Sequence, residues 1–69
     1  MTDNEVARNH GFIYDRECFC TNPGSIYLKG KVKLTIHSKQ PTFLLTRPGN
    51  HKTSGRQEDL ERVLNQFGI

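Results

Sequence analysis

"IYLKGKVKLTIH", residues 26–37, alternates apolar and polar side chains almost without a break. Ile26, Leu28, Val32, Leu34 and Ile36 hold the even places, and Tyr27, Lys29, Lys31, Lys33, Thr35 and His37 the odd ones. A period of two is the repeat of a strand with one face buried and the other in water. This stretch therefore puts a half-wetted antiparallel sheet at the centre of the fold. Gly30 interrupts the even series and marks a bulge, a bend or a tight turn.

The flanking segments are arranged around that run. TNPGS at 21–25 is a turn by composition, and FIYDRECFC at 12–20 before it is a strand rich in aromatics. SKQP at 38–41 turns the chain into a further strand, Thr42 to Arg47. RPGNHKTSGR, 47–56, has the composition of a loop. Ser54 and Gln57 then stand at capping-box spacing, and Leu60, Val63, Leu64 and Phe67 form an apolar stripe at helical spacing that ends at Gly68. At the other terminus Thr2 and Glu5 also have capping-box spacing, but Val6 and Ala7 are the only apolar residues of that turn. Residues 1–10 read as a weak helix or a mobile arm, and deleting residues 1–9 is expected to leave the unfolding transition nearly unchanged. The expected class is α+β: a small antiparallel sheet of about three strands with a C-terminal helix packed on one face, a single domain over 11–69.

Composition bounds the function. With 69 residues, 33% of them hydrophobic and no Trp, the core is small and stability sits at the low end of the usual range. No stretch has the form of a signal peptide or a membrane span, so the expectation is a cytoplasmic protein with reduced thiols, in a host cell's cytoplasm if phage-encoded. The acids lie at the two ends: Asp3, Glu5, Asp15 and Glu17, then Glu58, Asp59 and Glu61. Between them stand Lys29, Lys31, Lys33, Lys39, Arg47, Lys52 and Arg56 with no acid at all, within a net charge of +3. Such a basic middle points to an anionic partner, or to acidic ends folded over it.

TFLLTRPGNHKTSGRQEDLERVLNQFGI, with Gly49-Asn50, the Leu60/Val63/Leu64 stripe, Gln66, Gly68 and Ile69, resembles the end of HicA-type small toxins and related phage proteins, over roughly residues 30–69. The resemblance implies a nucleic-acid-binding fold of the double-stranded-RNA-binding type. In that family mRNA cleavage depends on a histidine early in the first strand, after a Gly-Ser pair. Here Gly30 and Lys31 take the place of the pair, Val32 and Lys33 follow, and His37 comes several residues later. The resemblance therefore does not carry catalysis to this chain.

Three constellations carry candidate chemistry. Tyr27, Lys29, Lys31, Lys33 and His37 would form one stripe on the wet face, with lysines for phosphate and a tyrosine for base stacking; the same residues also suit an ordinary solvated sheet face. Arg47, His51, Lys52 and Arg56 would add a basic loop, which an ordinary capped loop explains equally. Cys18 and Cys20, with Phe12 and Tyr14, fall on one side of a regular strand and read as buried, unreactive thiols. Zinc is the alternative, with Cys18, Cys20, His37 and His51 as its ligands, but Cys-x-Cys is tighter than the usual spacing. No paired carboxylates or phosphate motif mark an enzyme, and no cofactor is implied.

The leading expectation is a non-enzymatic regulatory binding protein of phage or mobile-element type, holding RNA or DNA, or the gene-expression machinery, on its basic surface. The first alternative is an inhibitor of a large host enzyme such as bacterial RNA polymerase, docking through Val6, Phe12 and Ile13. A zinc-binding mini-domain is the second.

Overall fold

The computed structural model describes residues 3–19, 21 and 23–69; Thr2 and Cys20 lie outside the described residues. Helix α1 spans Asp3–Asn9 and is followed by strands β1 (Ile13–Cys18), β2 (Gly24–Lys29), β3 (Val32–His37), β4 (Thr42–Arg47) and β5 (His51–Arg56). A 3₁₀ turn over Gln57–Asp59 leads into helix α2, Leu60–Gln66. The strands form one antiparallel meander in sequence order, β1-β2-β3-β4-β5. No described helix is long and apolar enough to cross a membrane.

The sheet thus has five strands where about three were expected, for two reasons. Residues 26–37 are a hairpin: Lys29 pairs with Val32 across Gly30-Lys31, and Gly30 takes the left-handed backbone (φ 61°) that such a two-residue turn requires. Residues 51–56 form a strand despite their polar composition, paired with β4 residue for residue from Arg47↔His51 to Thr42↔Arg56. Gly55 lies directly under the Phe43 ring, where a Cβ would come within 3.2 Å of it. Backbone pairing and that packing contact overrode composition.

Both helices end the same way. In α1, Gly11 is left-handed (φ 87°) and the Phe12 N–H donates to the Ala7 carbonyl at 3.0 Å. In α2, Gly68 is left-handed (φ 69°) and the Ile69 N–H donates to the Leu64 carbonyl at 3.0 Å. This is the Schellman closure, with an apolar residue after the glycine folded back onto the helix. The His10 imidazole ties the two ends together, donating from Nδ1 to the Ile69 carbonyl at 2.8 Å.

The core lies on one side of the sheet. Val6, Ala7 and Phe12 join Tyr27, Leu34, Ile36, Phe43, Leu45, Leu60 and Leu64 in one buried cluster. Of the two readings of the N-terminus, residues 3–9 are the helix, and it supplies core side chains. Val6 and Phe12, expected to face a partner, are buried, whereas Ile13 is 74% exposed.

Tyr27 is buried beneath α1 and its hydroxyl donates to Asn4 Oδ1 at 2.8 Å. Burial raises its phenol above the ordinary value of about 10; Arg8 opposes that shift and Glu17 adds to it. The folded state therefore holds this proton more tightly than the unfolded chain does. The contribution is complete below pH ~10 and is lost as pH rises through the folded value. Tyr27→Phe is expected to cost about 1 kcal/mol at neutral pH and to flatten the loss of stability at alkaline pH, as read by urea denaturation at pH 7 and pH 11.

Candidate functional site

Pairing fixes which side chains share a face, because opposed residues of an antiparallel ladder point the same way. Tyr27, Leu34 and Leu45 make one row beneath the helices, and Ser25, Ile36, Phe43 and Gly55 another. The opposite face carries Arg16, Ile26 (buried, 5% exposed), Thr35, Leu44 and Ser54 in its middle row. Ile13, Leu28, Lys33, Thr46 and Lys52 lie on one side of that row, and Cys18, Gly24, His37, Thr42 and Arg56 on the other.

The two-residue turn at Gly30-Lys31 splits the expected stripe. Tyr27 is 2% exposed and unavailable for stacking. Lys29 shares its ladder position with Val32 on the helix side, half-buried, with its stem about 3.4 Å from where a Gly11 Cβ would stand. Lys31 occupies the turn, and only Lys33 and His37 of the five reach the open face. The basic loop divides in the same way. Lys52 and Arg56 are on the open face. Arg47 lies on the helix side with its guanidinium 4.0 Å over the Phe67 ring, a cation–π contact. His51, opposite Arg47, is exposed at the far end of β5. Residues 47–56 are thus a tight turn at 48–50 followed by a strand, and only Arg56 of the four basic residues adjoins the start of the 3₁₀ turn.

The structure does not bring the two histidines of the zinc alternative together, and its Cys20 lies outside the described residues. His37 belongs to the row that ends in Arg56, whereas His51 opens the other end of β5, roughly 17 Å away along the strand. Cys18 is disulfide-bonded, not the reduced thiol expected, and it is half-buried at the sheet edge. A bulge between Tyr14 and Arg16 shifts the register, which puts Cys18 on the face opposite Tyr14. No group of His, Cys, Asp or Glu suited to a metal ion occurs among the described residues.

The open face therefore holds Arg16, Lys33, Lys52 and Arg56, with the hydroxyls of Thr35, Thr42, Thr46 and Ser54 between them. Its rows contain no carboxylate among the described residues. Arg16 is held by its neighbour Asp15, Nε to Oδ2 3.3 Å, an exposed pair of little energetic weight. Glu5, Glu58, Asp59 and Glu61 all stand on the helical side. The two layers thus differ in sign, a property that the linear charge pattern shows only in part.

No protein-family model, curated protein or solved structure matches this chain. The site is defined by its own geometry.

Sequence reasoning missed Gln57, which is no cap residue. Its Nε2 donates to the carbonyls of His37 (2.7 Å), Thr42 (3.0 Å) and Gln40 (3.2 Å), and its backbone N–H to the Pro41 carbonyl at 2.9 Å. That one amide fastens the 38–41 loop to the strand ends beside Arg56. Gln57→Glu would set a carboxylate against three carbonyl oxygens. It is expected to lower stability by about 2 kcal/mol, seen as a reduced urea midpoint with an unchanged slope.

Proposed function

We propose that this is a non-enzymatic nucleic-acid-binding protein that holds a single strand across the open face of its sheet. One observation carries the reading: Lys33, Lys52 and Arg56 share one sheet face with Arg16, the rows of that face hold no carboxylate among the described residues although Asp15 pairs with Arg16 beside them, and no ion pair among the described residues engages the first three. Such cations attract phosphate without regard to sequence. The hydroxyls between them supply short hydrogen-bonding partners, and Phe19, 90% exposed just beyond β1, offers a ring for base stacking. The resemblance of residues 30–69 to HicA-type proteins points to the same ligand class, and the lack of a histidine at the matching position accords with binding without cleavage. A regulatory role of phage or mobile-element type is part of the same proposal.

Fluorescence anisotropy with a labelled single-stranded oligonucleotide tests it. Affinity should persist near 0.15 M salt, with a log–log salt slope of about −2 to −3 for three or four neutralised phosphates. Binding seen at low salt alone would reduce the face to diffuse attraction.

A protein partner is the second reading, favoured by Ile13 (74% exposed) and Leu28 (38%), which stand side by side on the same face. Here an acidic surface of a large host enzyme, such as bacterial RNA polymerase, would cover the sheet, and of the three docking residues expected from sequence only Ile13 serves. A partner captured equally from nuclease-treated and untreated lysate would favour it.

A further inference from the structure

At one end of the open face, β3, β4 and β5 and the 38–41 loop line a shallow, open groove of about 560 Å³, within the range of small-molecule sites. The side chains of His37, Gln40, Thr42, Ser54 and Arg56 line it together with Leu44, and no carboxylate does. His37 is fixed by a 2.8 Å hydrogen bond between its Nδ1 and Thr42 Oγ1, which leaves Nε2 for a ligand. The Gln57 amide holds the strand ends and the loop that form the rim, so the donors are set before anything binds. One guanidinium, the hydrogen-bonded His37–Thr42 pair, the Ser54 hydroxyl and an amide around a small apolar surface suit an oxyanion joined to an organic body.

We propose that this groove takes a phosphate monoester, carried either by the end of a bound strand or by a free nucleotide. A monoester presents three acceptor oxygens and a charge of about −1.5 to −2, which matches the donor set better than a diester with two free oxygens. The strand-end arm rests on the nucleic-acid reading above; the nucleotide arm does not.

The test uses the full chain at 0.15 M salt. Its probes are one oligonucleotide with a phosphate at each end, the same oligonucleotide with none, and a nucleoside 5′-monophosphate. Phosphorylated ends should tighten oligonucleotide binding roughly tenfold, and His37→Gln should bring that ratio close to one while leaving affinity for the unphosphorylated oligonucleotide unchanged. Circular dichroism checks that the variant folds; Gln40→Ala, at an exposed position lining the groove, gives the same readout if it does not. Saturable binding of the monophosphate alone, lost in either variant, would support the groove while overturning the strand-binding function. Equal affinity for the two oligonucleotides with no saturable binding of the monophosphate would overturn the groove and leave that function standing. Binding of none of the probes would overturn both.

Discussion

A chain lacking residues 1–9 is expected to lose its cooperative unfolding transition altogether. Val6 and Ala7 are buried in the same cluster as Leu60 and Leu64. Removing α1 uncovers those side chains and Tyr27, and deletes the Asn4 acceptor of the Tyr27 hydroxyl. Burying a valine-sized side chain is worth about 1.5–3 kcal/mol and the hydrogen bond about 1 kcal/mol. Together these approach the 3–5 kcal/mol that roughly bounds the stability of a domain this small. Val6→Asp makes the same point in the full chain, since a carboxylate at a position 6% exposed has no water to solvate it. Urea and thermal denaturation followed by circular dichroism provide the readout. A truncated chain whose transition stays within about 1 kcal/mol of the parent would show that the sheet and α2 suffice.

Reversing the charge of the open face should have the largest functional effect. The triple variant Lys33→Glu, Lys52→Glu, Arg56→Glu is expected to abolish oligonucleotide binding at 0.15 M salt and to leave the denaturation midpoint nearly unchanged, because all three side chains are exposed. Arg8→Glu with Arg62→Glu, both on the helical side and exposed, makes two of the same charge reversals, against three, away from the face. This control should weaken binding only slightly, since separations beyond about 8 Å are screened at that salt. Equal losses in the two variants would mean that overall charge, rather than this face, holds the ligand.

The sequence alone determined the elements whose signals are local. Leu60, Val63, Leu64 and Phe67 specify α2 through their 3.6-residue period, and Gly68 specifies its end. The alternation of 26–37 requires a sheet, although Gly24 and Ser25, expected in the turn over 21–25, already pair within β2. A second local signal was present at the N-terminus: Gly11-Phe12 closes α1 as Gly68-Ile69 closes α2, which marks a docked helix where apolar content suggested an arm.

The tertiary structure alone decided which residues face the ligand. A two-residue turn keeps the alternation intact but inverts its phase, so Tyr27 and Lys29 turn toward the helices along with Val32, Leu34 and Ile36. Ile26 and Leu28, which share the apolar series of β3, consequently lie on the opposite face. A single straight strand with a bulge and a hairpin both satisfy that pattern, and only the pairing of β2 with β3 separates them. β5 has no apolar alternation because backbone pairing with β4 and the Phe43–Gly55 contact define it. Lys52, Arg56 and Lys33 come onto one face through the pairing of three strands, a non-local relation that no sequence spacing encodes.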